Sequence, residues 1–299
     1  MAGGQERALR RRIRSVQATK KITRAMELIA ASQIVRAQNR IATALPYQEG
    51  IARVLAEAAR DLPPGAGGLI GVPDSPARVA VVVLAADRGL CGGYNANVLR
   101  TTERLVRAGQ DQGISYRLVT SGKKALSYLR FRGYEVEHSF TGFSDRPSFA
   151  NARDIAEVVC VPFLEGLLDQ VLVVSTRFLS AGTQVVETRQ VLPLPIPPSE
   201  GERRGGYTEL EPDGPEMVRS LVPRYAEAAI FGALLEAAAS EHTARQRAMA
   251  AATDNADELI KSLTRIMNRA RQDAITTEIM EIVGGAEALR QAEASAEEI

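Results

Sequence analysis

The stretch Asp87-Arg88-Gly89-Leu90-Cys91-Gly92-Gly93-Tyr94-Asn95 holds the chain's densest set of residues able to do chemistry. It follows an apolar run from Val79 to Ala85 and precedes a helical segment from about Asn95 to Ala108. In α/β proteins, a glycine-rich turn between a strand and a helix is where backbone amides hold phosphates. The spacing here matches neither the dinucleotide fingerprint nor the phosphate loop. No Lys-Ser or Lys-Thr pair closes it, and Ser121-Gly122-Lys123-Lys124 supplies none. The structural alternative is a tight strand-to-helix turn in which Asp87, Gly89, Gly92 and Gly93 serve the backbone, by positive φ or close packing.

Other reactive side chains are few. Cys91, near Arg88, could be a reactive thiol, but an isolated cysteine beside such a turn reads more simply as a small packed residue. Cys160 lies in an apolar helical stretch and reads as core. Two cysteines make neither a disulfide scaffold nor a four-ligand zinc site, and His138 and His242 are the only histidines. His242, between Glu241 and Arg245, reads as a plain surface or interface residue. No serine sits in a nucleophile elbow. The sequence thus offers no catalytic constellation, and neither a cofactor nor a metal is expected.

The net charge of +1 over 299 residues conceals an asymmetry. Residues 1–61 carry twelve basic against five acidic residues, a net +7, and Arg7 to Arg24 contains eight basic residues and no acid. Residues 216–299 carry nine basic against fourteen acidic residues, a net −5. Opposite charge at the two ends points to distinct partners. The basic run could meet nucleic acid, anionic lipid or an acidic protein surface. It lacks interleaved aromatics, which weakens single-strand binding. No run approaches the ~20 apolar residues of a membrane span, and the basic start is not followed by a signal-peptide core, so a soluble protein of a reducing compartment is expected.

Residues 5–61 contain one proline, Pro46, and one glycine, Gly50. Small or apolar residues recur near helical spacing at Ile13, Val16, Ile22, Ala25, Met26, Ile29, Ala37, Ile41, Ala44 and Leu45. This predicts a helix on the order of 80 Å long, kinked or interrupted at Pro46. Residues 78–195 instead alternate strand-like and helix-like segments, which predicts an α/β domain with a mainly parallel, Rossmann-like five-stranded sheet. Its last strand, after a turn near Ala181-Gly182, is expected to be antiparallel. A Pro/Gly-rich connection spans 196–214. A second long helix is expected over 215–289, ending near 283 in its regular part, with an exposed acidic tail at 290–299. Its seam is read at Ala252, Ala256, Leu259, Leu263, Ile266, Ala270, Thr277 and Met280, with Asp273 in one seam position, the period of a coiled coil. Neither helix can bury its stripe alone, so an antiparallel pair is expected.

Three blocks carry a family resemblance: Ile13 to Glu27 with Ala30-Ala31-Ser32; Asp87 to Asn97; and Arg247-Ala248-Met249, Ala252 to Ala256, Asn268 to Gln272, Ile275-Thr276 and Glu281 to Ala286. In order and spacing they resemble the gamma subunit of F-type ATP synthases. The resemblance implies a rotor shaft whose paired helices thread a hexamer of alternating alpha and beta subunits. The α/β domain would lie with epsilon on the ring of c subunits. It implies a non-catalytic subunit that binds neither nucleotide nor nucleic acid and meets the membrane only through the complex. The expected place is the cytoplasmic face of a bacterial plasma membrane, since the first block starts close to Met1 and no cysteine-bearing regulatory insertion is present. Carried over by position, Lys21, Arg24 and Met26 would face the acidic lever of a beta subunit, and Arg245, Gln272 and Thr276 would make polar contacts with beta subunits.

Overall fold

The computed structural model describes residues 2–60, 68–71, 73, 75–195 and 214–297. The connection at 196–213 and the last two residues therefore lie outside the described residues. Helix α1 (Ala2–Arg60) and helix α5 (Gly214–Glu297) flank strand β1 (Arg78–Leu84), α2 (Tyr94–Gln110), β2 (Ser115–Ser121), α3 (Lys123–Phe131), β3 (His138–Phe140), α4 (Phe149–Leu164), β4 (Gln170–Phe178) and β5 (Gln184–Leu192). The chain divides into two compact units, residues 28–248 and residues 1–27 with 249–299.

The larger unit holds one five-stranded sheet in the order β3-β2-β1-β4-β5. The first four strands are parallel, and β5 pairs antiparallel to β4. β1 lies at the centre, and all its residues after Arg78 are buried. Because strand side chains alternate between faces, Val79, Val81 and Val83 pack with Val98, Leu99 and Val106 of α2 and with Ala125 and Leu129 of α3. Ala80, Val82 and Leu84 face the other way, into a core shared with Ile155 and Val159 of α4 and with Val218, Val222 and Ile230 of α5. Both faces are covered, so an unbroken apolar strand is stable where an alternating one would leave polar groups buried.

Within this unit α5 is a core helix rather than an amphipathic one. Residues 232–235 and 237–243 are buried on every side, which the run of Ala, Gly, Ser and Thr permits by keeping the helix thin. The apolar run from Val79 to Ala85 and the helical segment from about Asn95 to Ala108 differ from β1 and α2 by one or two residues at each end. β3 is only three residues long, and α4 starts at Phe149 because Ser148 caps it in a reciprocal capping box with Asn151.

The smaller unit pairs the first part of α1 with the last part of α5. Lys20 meets Asp257 at 2.5 Å, and the Thr23 and Thr253 hydroxyls meet at 2.8 Å. As one number rises the other falls, so the two segments run antiparallel. On α5 the less exposed positions are Met249, Thr253, Ala256, Ile260, Leu263, Met267, Ala270 and Ala274, spaced alternately four and three apart. This corrects the predicted seam in one column. Ala256, Leu263 and Ala270 belong to it, but Leu259, Ile266 and Met280 are exposed, as is Thr277 at the far end, and the neighbours Ile260 and Met267 turn inward. On α1 the seam of this unit passes through Ile13, Val16, Lys20, Thr23 and Glu27, while Ile22 is 60% exposed; in the larger unit Ala30, Ile34 and Ala37 are buried and Ile29 is 61% exposed. Ile22 and Ile29 both stand among the apolar residues read near helical spacing, a pattern that does not single out the buried face. Two further expectations change: α1 continues as helix through Pro46, and α5 continues past Gly284 and Gly285 to Glu297.

Candidate functional site

The strand order places β2 and β3 on one side of β1 and β4 on the other. The switch point of the sheet therefore lies at the carboxyl ends of β1 and β4, where open α/β sheets bind ligands. The Asp87–Asn95 segment leaves β1 at this point, and the side chains of Asp87, Cys91 and Asn95 in it are occupied by the protein itself.

Asp87 makes the largest contribution. Its carboxylate accepts hydrogen bonds from the backbone amides of Lys123 at 3.1 Å, Gly142 at 2.8 Å and Ser144 at 3.1 Å, while its own amide donates to Ser144 Oγ. Lys123 is the first residue of α3, so a side-chain carboxylate holds the helix N-terminus that could otherwise receive an anion. One residue thereby joins the loops after β1, β2 and β3. Asn95 does the same within its own turn, accepting from Ala86 N at 2.8 Å and donating to Cys91 Sγ at 3.1 Å.

The glycines differ in what they require. Gly92 adopts φ of +56°, whereas Gly89 and Gly93 have ordinary space for a side chain. Leu90, a non-glycine residue, also sits at φ of +62° and is largely exposed. The strictest position is one that sequence reasoning passed over. Gly122 has φ of +100°, and a Cβ there would lie 2.1 Å from the Ala85 carbonyl oxygen. The visible signal was its place between a predicted strand and a predicted helix.

Helix α5 closes the site. Glu241 is 1% exposed and pairs at 2.7 Å with Arg245, which also reaches the Gly89 carbonyl oxygen at 3.5 Å. Burial pushes the Glu241 carboxyl above its usual range against the pull of Arg245. Burial likewise raises the Cys91 thiol, helped by the nearby Glu241, and raises the Tyr94 phenol well above the ordinary value. Such a thiol is held in its unreactive form, as the packed reading of Cys91 expects. Cys160 is pushed up to about 12 by burial. His242 departs from its expected surface position: it is buried, and because a carbonyl can only accept, its Nε2 donates to Asp145 O at 3.1 Å. Beside the glycine turn remains an open crevice of about 460 Å³, lined among others by Gly92, Gly93, Asn97, Thr176, Gln184 and Arg247.

The positions singled out for partner contact fall in both units. Lys21 is exposed, Arg24 is exposed and paired with Glu27 at 2.8 Å, and Met26 is half-buried. Gln272 and Thr276 are exposed, the Thr276 hydroxyl returning to Gln272 O. All five lie in the smaller unit, on its two antiparallel helices. Arg245 belongs to the larger unit, and its guanidinium is turned inward to Glu241 and Gly89. On the same smaller unit Arg7, Arg10, Arg11 and Arg14 line a basic groove. Among the described residues, no group of three or more His, Cys, Asp or Glu could hold a metal ion, and no helix is long and apolar enough to cross a membrane.

Comparison with known proteins completes the picture. Residues 5–289 match the sequence model of the family described as ATP synthase. The ATP synthase gamma chain of Frankia casuarinae is 48% identical over 297 residues, covering 96% of this chain and 98% of that relative. That of Acidothermus cellulolyticus is 47% identical with the same coverage. Among solved structures, a chain of the Euglena gracilis mitochondrial ATP synthase OSCP/F1/c-ring assembly aligns with a TM-score of 0.66 at 17% identity, covering 97% of this chain and 96% of that one. A chain of the Tetrahymena thermophila mitochondrial ATP synthase central stalk and c-ring gives 0.59 at 23% identity, covering 77% and 99%. These two structural likenesses show a shared fold. With a family match from residue 5 to residue 289 and relatives nearly half identical along their whole length, the chain belongs to the ATP synthase gamma chain family.

Proposed function

We propose that this chain is the central-stalk rotor subunit of a bacterial F-type ATP synthase. It couples proton-driven rotation of the c-ring to cycling of the catalytic beta subunits for ATP synthesis, and the reverse in hydrolysis. The observation that carries the proposal is the full-length similarity to ATP synthase gamma chains, joined to a smaller unit that leaves large apolar residues outside its own seam. Ile22, Leu259 and Ile266 are available to surrounding subunits. The arginines of the first turns, with Lys21 and Arg24, favour acidic partners such as a beta-subunit lever. Gln272 and Thr276 stand exposed for polar contact with the same subunits.

A non-catalytic role is supported by the switch point. Asp87 fills the α3 N-terminus, and α5 with its Glu241–Arg245 pair covers the turn where a nucleotide would approach. Arg245 acts first on its own chain in this reading, by holding the glycine turn in the shape presented to beta. Epsilon and the c-ring are the partners of the α/β unit. The membrane is reached through the complex, at the cytoplasmic face of the plasma membrane. Co-expression with the alpha and beta subunits of the same source tests the proposal: co-purification as one gamma per hexamer, with ATP hydrolysis, is the expected result. A chain that remains free of the hexamer contradicts it.

A further inference from the structure

In a rotor, torque passes where the helices are fastened to the α/β core. Beyond the apolar packing of α5 on the sheet and the bond from Arg219 to Leu164 O at 3.5 Å, the side-chain bonds from α5 to backbone carbonyls of the core gather at residues 240–247. Ser240 Oγ donates to Thr176 O at 3.3 Å, His242 Nε2 to Asp145 O at 3.1 Å, and Arg245 to Gly89 O at 3.5 Å. Arg247 donates to the carbonyl oxygens of Ala181 and, at 3.0 Å, Gly182. All the acceptors are backbone carbonyls at the carboxyl edge of the parallel strands or in the loops that leave it. A carbonyl cannot swing away as a side chain can, so each bond fixes the helix against the backbone of β4 or of a loop that leaves the sheet.

The spacing of the donors decides what such bonds resist. At about 100° per residue, Ser240 and Arg247 project within roughly 20° of each other, and His242 and Arg245 project from the opposite side of the helix. The first pair grips β4 and the β4–β5 turn; the second grips the loops after β3 and β1. Bonds on one side of a helix would let it roll, but bonds on opposite sides oppose rotation about its axis. Helix α1 is tied to the same region, since Arg40 donates to the Pro147 carbonyl oxygen, two residues beyond the acceptor of His242.

We propose that Ser240, His242, Arg245 and Arg247 of α5, with Arg40 of α1, form the torsional joint that locks the two helices to the α/β core. This rests on the rotor reading above and assigns Arg40, His242 and Arg247 as positioning residues that touch no nucleotide.

The test uses the complete membrane-bound complex with Arg40→Met and Arg247→Met, which keep the apolar stems and remove the donors. Pumping of protons per ATP hydrolysed is measured in inverted vesicles, with ATP hydrolysis by the detached hexamer–gamma assembly as control. Removing two charge-assisted joints should lower pumping per ATP by about threefold or more in the double variant, leave detached hydrolysis within about twofold, and be relieved by Arg247→Lys, which can still donate. The thermal midpoint of the assembly should not change. Unchanged pumping per ATP at equal gamma content would overturn the joint. Where the double variant does not assemble, the single variants Arg40→Met and Arg247→Met decide by the same ratio. A wild-type chain that fails to assemble with the hexamer overturns the rotor reading itself, and the joint with it.

Discussion

Strand β1 and the stretch of α1 from Lys20 to Val35 spend their hydrophobicity in opposite ways. In β1, every valine is buried within its own unit, on one face of the sheet or the other. In α1, Lys20, Thr23 and Glu27 occupy the seam with α5, while Ile22, Leu28, Ile29 and Val35 are exposed. A fully buried Val or Leu contributes about 1.5–3 kcal/mol, so β1 is stabilised within its own unit. The helix pair leaves that contribution unrealised until another surface covers it. The difference separates a part built to hold its shape from a part built to meet partners.

The contrast can be broken most severely at Gly122. Substitution by Val would force a side chain against the Ala85 carbonyl and demand a positive φ from a β-branched residue. Loss of cooperative thermal unfolding of the α/β unit is the expected outcome, a destabilisation above about 4 kcal/mol. Next comes the core: Leu129→Ala, fully buried against β1, should cost about 2–5 kcal/mol in denaturant unfolding. Asp87→Ala leaves three backbone amides without their acceptor and should cost about 2–4 kcal/mol, with Asn recovering part of it. In the helix pair the order reverses. Ile266→Asp, at a position 48% exposed, should change the stability of the free chain by less than about 0.5 kcal/mol yet weaken capture by the alpha–beta hexamer. Equal loss of stability and capture would show that the exposed column is a folding element after all. The smallest effect concerns thiols. Cys91 and Cys160, both raised by burial, should resist alkylation at neutral pH in the native chain and react only on unfolding.

The acid side of the stability profile has a local marker. Asp169 is held below the ordinary carboxylate range by its hydrogen bond to Arg78 and by the amides of Ala77 and Arg78. A depressed carboxylate contributes stability that is present above its unfolded pKa and lost as pH falls through the folded one. The clasp at the start of β1 should therefore open below the usual aspartate range, and Asp169→Asn should flatten that part of the acid unfolding curve.

Much of the α/β unit was legible because its signals are redundant. Val79 to Leu84 is an unbroken apolar run, glycines and capping residues punctuate the chain, and the helical segments alternate with it. The helix pair carries less information per residue. Ala256, Leu263 and Ala270 belong to either candidate seam, and the second column could take Leu259 and Ile266 or Ile260 and Met267, all apolar. Periodicity does not choose between them. The polar partners do: Lys20 with Asp257, and Thr23 with Thr253, fix the register. At the turn, Asp87 and Gly92 could be read as backbone residues, but the need for Gly122 depends on the approach of Ala85 from another strand, which no local pattern records. His242 was misplaced for a related reason, since a polar residue on a charged helix is buried only because a distant carbonyl, Asp145, receives it.

The central claim is that this chain turns as a unit inside a hexamer. It is tested most directly by fixing the assembled alpha–beta hexamer to a surface, attaching a probe to the exposed turn at Ser180–Gly182, and adding ATP. Rotation of the probe in one direction is the predicted result. A stationary probe on complexes that hydrolyse ATP would contradict the account.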